Sequence, residues 1–216
     1  MPTDPTARLH IDTLRLSWVL VTPSLVPISA KHHVRAICDH GPVTVTTRLA
    51  TLEDVPVLAE LVRVNRDFLA PWEPIREDSY YTDAGQHVVI SDALDRQKQG
   101  VTLPHVILDS GRVIGRITLN SIERGPFQSC SLGYWVGAAD NGRGVATAAA
   151  RAMVRVAFEE LGLHRIQAGT LLHNGGSQRV LARNGFIRFG LAPKYLNIAG
   201  VWQDHILHQL LADSPA

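Results

Sequence analysis

Three short stretches of this sequence carry residue types that chemistry needs. The first is Asp140-Asn141-Gly142-Arg143-Gly144-Val145-Ala146-Thr147, which joins an apolar run, Leu132 to Val136, to the start of a long amphipathic helix near Ala146. The first N–H groups of a helix lack intrahelical partners and carry a positive partial charge, so a glycine-rich entry lets a phosphate approach them. Gly142 and Gly144 clear that approach, and Arg143 adds a cation at the rim. The spacing fits neither the G-x-G-x-x-G of dinucleotide loops nor the Gly-Lys-Ser/Thr ending of nucleotide-triphosphate loops. The second stretch is His173-Asn174-Gly175-Gly176-Ser177, which opens a short helix ending at Asn184-Gly185-Phe186. Asn174 and Ser177 are ordinary helix-start residues. They also lie at the carboxyl end of the strand next to the loop's own strand, where open α/β sheets place ligands. The third is Pro71-Trp72-Glu73-Pro74, two prolines holding a tryptophan and a carboxylate on a stiff turn. Trp72 as a core plug with Glu73 solvated is the competing reading there. His205 has the chemistry of a base, but its place inside an alternating strand favours a packed, hydrogen-bonded role.

The elements that must position these groups follow from pattern. Val43 to Leu49 alternates β-branched residues as a first strand. Thr51-x-x-Asp54 then starts a helix to about Phe68, with Pro56 in its first turn and positions 55, 58, 61, 62 and 69 inward. Residues 83 to 99 form a second helix with Ile90, Ala93 and Leu94 inward, stopped by Gly100. Val101 to Leu108 and Arg112 to Ser121 make a hairpin over Asp109-Ser110-Gly111, and Glu123 to Pro126 turns the chain into Phe127 to Val136. Gly133 inside that last strand predicts a bulge or a close backbone approach. The helix after the loop is apolar at 146, 150, 153, 154, 157, 158 and 161 and ends at Gly162. With a full helix between them, Arg165 to Leu172 lies parallel to Leu132 to Val136. Phe186 to Ala192 and Val201 to Leu211 close the chain as a hairpin over Asn197 to Gly200.

Composition narrows the class. The 216 residues, 45% of them hydrophobic, suffice for one domain with a proper core, and a formal charge of +1 gives no bias toward nucleic acid or membrane. Cys38 and Cys130 form neither a disulfide framework nor a metal pattern, which suits a reducing, cytoplasmic compartment, with Cys130 simply buried. Residues 1–40 read as an N-terminal extension to a domain over 41–213, with Pro23 and Pro27 interrupting the mildly apolar run Trp18 to Ile28. That run is too broken for a membrane span or a signal peptide. His10, His32, His33 and His40 fall in the extension without acidic or thiol partners, so no metal is expected.

The motifs resemble one family. Asn141-Gly142-Arg143-Gly144-Val145-Ala146 is similar to the Q/R-x-x-G-x-G/A acyl-coenzyme A loop of the GNAT acetyltransferases, with Asn141 where Gln or Arg is usual. Asn65-Arg66-Asp67-Phe68-Leu69-Ala70-Pro71-Trp72-Glu73-Pro74-Ile75-Arg76 resembles the N-R-x-F-L-x-P-W-E-P-x-R stretch of RimJ-type ribosomal-protein-alanine N-acetyltransferases. Asn174 to Phe186 resembles that family's N-x-x-S-x-x-x-L-x-x-x-G-F. Tyr195-Leu196-Asn197 with Gly200-x-Trp202-x-Asp204-His205 extends the likeness, which runs from about Val43 to Leu211.

The resemblance implies an α/β (mixed α+β) GNAT acyl-CoA N-acyltransferase fold: a central mixed, mostly antiparallel sheet of about seven strands flanked by about four helices. It implies acetyl-CoA as cosubstrate, its pyrophosphate on the amides of Arg143 to Thr147, within a loop that begins at Asn141 and Gly142. The strand carrying Tyr134, Trp135 and Val136 would bulge and pair its backbone with pantetheine, and Asn174 would bond the same arm. Ser177 would sit by the coenzyme sulfur and protonate or hydrogen-bond the leaving thiolate. Glu73 is the base or the anchor of the amine. RimL enzymes use a glutamate in the final hairpin, whereas Pro193-Lys194-Tyr195 offers no carboxylate there. The acceptor implied is the N-terminal α-amine of a protein, a ribosomal protein beginning with alanine, for an enzyme that is a monomer or homodimer and touches neither nucleic acid nor membrane. Three other readings stay open: an acetyltransferase for a small amine or antibiotic, a coenzyme-binding regulatory module without turnover, and a protein-interaction domain that binds no coenzyme.

Overall fold

Strand pairing sets the architecture of this chain, whose structure is a computed structural model describing residues 33–37 and 44–213. Among these residues eight strands form one sheet: β1 (His33–Ile37), β2 (Thr44–Leu49), β3 (Leu103–Asp109), β4 (Arg112–Glu123), β5 (Ser129–Val136), β6 (Arg165–Leu171), β7 (Ile187–Ile198) and β8 (Val201–Leu211). Their spatial order is β1-β2-β3-β4-β5-β6-β8-β7. Every neighbouring pair is antiparallel except β5 and β6, which run parallel. The mixed, mostly antiparallel sheet is as expected, and its eighth strand is β1, for which no sequence pattern argued. His10, His32, His40 and Cys38 lie outside the described residues.

Among the described residues five α-helices accompany the sheet: α1 (Val55–Val64), α2 (Arg66–Leu69), α3 (Asp83–Lys98), α4 (Val145–Arg155) and α5 (Gly175–Arg183). The helix expected from Thr51 to Phe68 breaks at Asn65, whose side chain turns back to donate to the Leu61 carbonyl (2.8 Å). The period-2 alternation of the central strands divides the core between the two faces. Leu103, Ile107, Ile114, Ile117 and Leu119 pack with Met153 and the alanines of α4. Val106, Leu108 and Val113 pack on the other face with Val55, Leu58 and Ile90 of α1 and α3. β3 is therefore buried along its whole length.

The expected start of α1 has a firmer basis than a cap alone. Asp54 accepts from the Thr51 N–H (2.8 Å) and from both arms of the Arg48 guanidinium (2.7 and 2.6 Å). Burial works to raise the Asp54 pKa, but the bonds from Arg48 and Thr51 outweigh it and hold the carboxyl below its ordinary value. A depressed folded pKa means that Asp54 stabilises the fold above its unfolded pKa, about 3.9, and that this is lost as the pH falls through the folded value. Asp54→Asn is expected to cost about 2 kcal/mol at neutral pH, because it leaves a partly buried guanidinium without its counter-charge. Urea unfolding at pH 7 and pH 3 checks this, the two proteins converging at the lower pH.

Two hairpin turns match their sequences. Ser110-Gly111 has positive φ at both positions (51° and 84°), as a two-residue turn between right-twisted strands requires. Ala199-Gly200 does the same (50° and 81°) and makes the turn tighter than the four residues expected. One expectation is corrected. Gly133 sits in regular register opposite Thr118, and the irregularity falls instead on β4, between Asn120 and Glu123, where Ser121 takes φ 48°. Among the described residues, no helix is long and apolar enough to cross a membrane.

Candidate active site

The parallel pair β5 and β6 stays hydrogen-bonded only over Ser129–Ser131 against Arg165–Gln167. Beyond Ser131 the two strands part, leaving the backbone edge of Leu132–Val136 facing a gap. A cleft of about 480 Å³ opens there. Tyr134, Trp135 and Val136 line it from β5, Asn141, Gly142 and Gly144 to Thr147 from the loop and the start of α4, and Asn174 and Ser177 from α5. Phe68, Leu69 and Trp72 close another side, and Trp72 stacks on His173 with ring centroids 5.5 Å apart. Trp72 is thus exposed to the cleft and is no core plug.

The loop is built for an anion. Gly142 and Gly144 hold φ of 77° and 80°, a left-handed conformation that side-chain-bearing residues reach only at a cost. Gly144 is the N-cap of α4, and no side chain caps that end, so the first N–H groups of Val145 to Thr147 are left to the cleft. Asn141 takes the Gly142 N–H on its own side chain (2.8 Å), which fixes the turn and withdraws that amide. Arg143 departs from expectation. Its guanidinium is tied to Asp109 (3.2 Å) and Asp140 (3.1 Å) and does not line the cleft. Asp140 is buried and also holds Arg112 (2.8 Å), so these charges brace the loop from behind. The cations that do line the cleft are Arg179 and Arg183, one turn apart on α5 and both exposed. Their i, i+4 spacing on a helix that opens beside the loop was the signal that could have singled them out.

Asn65 is a second residue whose role the sequence hid. Its carbonyl oxygen accepts from the Ala138 N–H (2.8 Å), tying the helix break before Trp72 to the turn that leads into the loop.

At the inner end of the cleft, Ser177 Oγ lies 2.8 Å from Tyr134 Oη. Burial pushes the Tyr134 phenol up to about 12, against the lowering effect of the Ser177 hydrogen bond. It is therefore protonated at neutral pH. Asn174 is the cap of α5, accepting from the Ser177 N–H (3.0 Å), so the Ser177 hydroxyl has no part in capping and is free to face Tyr134.

Glu73 and Ser177 do not meet. Glu73 belongs to a second cavity of about 400 Å³ on the α3 face of the sheet, and Tyr134 and Trp135 line both cavities. The Glu73 carbonyl accepts from Ala199 N–H (3.0 Å), so the β7–β8 turn supports the proline-flanked segment. Glu73 Oε1 is enclosed without a hydrogen-bond partner, and burial raises its pKa against the opposing pull of Arg76. His205 lies elsewhere: buried, its Nδ1 3.0 Å from the Gln203 carbonyl, and its ring against Tyr195. Among the described residues there is no group of three or more His, Cys, Asp or Glu that could hold a metal ion.

A parted pair of parallel strands, an uncapped glycine-entered helix and a hydroxyl pair at the cleft floor make a site for an extended, phosphate-bearing ligand. Comparison with known proteins agrees. The chain is 39% identical over 164 residues to "Probable N-acetyltransferase YjcK" of Bacillus subtilis (strain 168), covering 75% of this chain and 91% of that one. It is 35% identical over 165 residues to the [ribosomal protein uS5]-alanine N-acetyltransferase of Escherichia coli (strain K12), covering 76% and 85%. The solved structure of Mycobacterium smegmatis RimJ in complex with CoA-disulfide superposes with a TM-score of 0.77 at 30% identity, over 80% of this chain and 87% of that one. Residues 45–187 match the acetyltransferase (GNAT) domain family, the stretch that holds the loop, the parted strands and both cavities, and the chain is a member of that acetyltransferase family.

Proposed function

We propose that this enzyme transfers acetyl from acetyl-CoA to the N-terminal α-amine of a protein, a ribosomal protein that begins with alanine. The observation that carries this reading is the two-cavity arrangement: one cleft suited to the coenzyme, a second holding Glu73, and Tyr134 and Trp135 shared between them. Acetyl-CoA supplies an activated acyl group whose thiolate is a tolerable leaving group.

The residues divide the work. Amides at Arg143 to Thr147 receive the pyrophosphate, and Arg179 and Arg183 add positive charge along the same cleft. The unpaired edge of β5 at Tyr134 to Val136 offers backbone bonds to the pantetheine arm, with Asn174 beside it. Ser177 gives its hydroxyl proton to the departing sulfur, Tyr134, protonated and 2.8 Å away, restores it, and the Tyr134 phenolate takes a proton back from water in the open cleft. Glu73 holds the incoming amine or takes its proton. That demand is modest, since an α-amine has a reference pKa of about 7.7 to 8.0 against about 10.4 for lysine.

The RimJ-like segment and the name of the Escherichia coli relative support this acceptor. In a competition assay, peptides with a free N-terminal alanine are expected to be acetylated at least about tenfold faster than the same peptides with that amine blocked and an internal lysine free. Preference for lysine, or for a small amine over both peptides, contradicts the reading.

A further inference from the structure

The second cavity contains more charge than an amine requires. Three arginines, Arg76, Arg96 and Arg116, face two carboxylates, Glu73 and Asp92, around Tyr80. Arg116 comes from β4, where it pairs with Trp135 of β5 across the strands, and Thr118 and Asn120 follow it on the same face. Its Nε is enclosed and has no hydrogen-bond partner. Among the described residues no ion pair joins it to a carboxylate. Burial is the largest influence on it and works against its charge; Tyr80 opposes this and Arg76 adds to it, and the net effect lowers its pKa from the usual arginine value. Arg76 itself lies over the Tyr80 ring, 4.7 Å from its centroid.

Elsewhere in this fold arginines beside the sheet are matched: Arg48 by Asp54, and Arg112 and Arg143 by Asp140. A half-buried guanidinium whose Nε is enclosed and unpartnered, with no counter-charge beside it, is costly, and groups perturbed in this way cluster at functional sites. If Glu73 is reserved for the amine, the remaining charges of the cavity are three guanidiniums against Asp92 alone. A planar guanidinium with free donors is suited to a carboxylate, which it can grip with two parallel bonds.

The geometry points to Arg116 as a binding site for a carboxylate that the acceptor carries close to its reactive amine. This rests on the reading of the second cavity as the acceptor site with Glu73 at the amine. The ligand class is an amine with a neighbouring carboxylate: a peptide whose second residue is Asp or Glu, or a free amino acid bearing its own carboxylate.

The test compares kcat/KM within pairs matched in size and differing in one carboxylate, for the wild-type enzyme and for Arg116→Gln and Arg116→Lys. One pair is an Ala-Glu peptide and its Ala-Gln counterpart. The other is free alanine and alaninamide. The wild-type enzyme is expected to favour the carboxylate member by about 10- to 100-fold, the scale of a charge-assisted hydrogen bond. Arg116→Gln brings that ratio to about one, and Arg116→Lys retains part of it. A merely structural loss lowers both members together and leaves the ratio unchanged. Equal rates within both pairs for the wild-type enzyme overturn the proposal, as does a ratio that survives Arg116→Gln. Should the glutamine variant not fold, the wild-type ratios and the lysine variant decide in the same way. Preference confined to the free amino acid keeps the carboxylate site and overturns the protein α-amine acceptor. Acetylation of both peptides without regard to charge keeps that acceptor and overturns the role of Arg116.

Discussion

Gly144→Val is expected to weaken acetyl-CoA binding by about 100-fold or more in calorimetry, with the fold intact. Gly144 caps α4 at φ 80°, and a Cβ there meets no protein atom within 4 Å. The added bulk therefore goes into the cleft, onto the approach to the amides of Val145 to Thr147. A β-branched residue also resists the left-handed conformation, by about 1–2 kcal/mol, and relaxing it turns those amides away. Gly100→Val separates the two effects. Gly100 has a similar φ of 75° and open space around it, but it ends α3. The same backbone penalty there should lower the melting temperature and leave the affinity for acetyl-CoA unaltered. Unchanged affinity in Gly144→Val would falsify the assignment of the loop.

Ser177→Ala is expected to lower kcat by roughly 10- to 100-fold, a barrier increase of about 1.4 to 2.7 kcal/mol, with little change in KM for acetyl-CoA. General acid help is worth about 10²- to 10⁴-fold in general, and a thiol with a reference pKa near 8.5 needs less of it than most leaving groups. The loss should not be one of stability. Asn174 supplies the cap of α5 and bonds the Ser177 backbone N–H, which alanine retains. Asn174→Ala, by contrast, is expected to cost about 1 kcal/mol of stability. If Tyr134 feeds its proton through Ser177, Tyr134→Phe lowers kcat as well, and the double variant is little worse than Ser177→Ala alone. A normal kcat in Ser177→Ala, or full additivity with Tyr134→Phe, removes the relay.

How far the sequence could be read depended on distance along the chain. Alternation and helical spacing are local, and they located seven strands, the hairpin at Ser110-Gly111 and the loop at Asn141 to Thr147 close to where they stand. The parting of β5 from β6 could not be read, because both strands keep their pattern after Ser131 while only their mutual pairing ends. The hydrogen bond between Tyr134 and Ser177, residues 43 apart, left no trace in either segment. Arg143 looked like a phosphate ligand because its neighbours in sequence form the loop. Its neighbours in space are Asp109 and Asp140, two buried carboxylates that need a counter-charge. The bulge or close backbone approach expected at Gly133 shows the same limit, since an extra residue can be absorbed by either strand of a pair and here β4 absorbs it at Ser121. Arg116 looked like an ordinary residue of an alternating strand; only its enclosure beside Tyr80 makes it unusual.

The proposed acceptor is tested most directly by mass spectrometry of purified ribosomal proteins incubated with this enzyme and isotopically labelled acetyl-CoA. The account predicts label on the N-terminal α-amine of a protein that begins with alanine, appearing roughly 10- to 100-fold more slowly with the Ser177→Ala, Tyr134→Phe double variant. Label confined to lysine side chains, or no label on any protein while a small amine is acetylated, contradicts it.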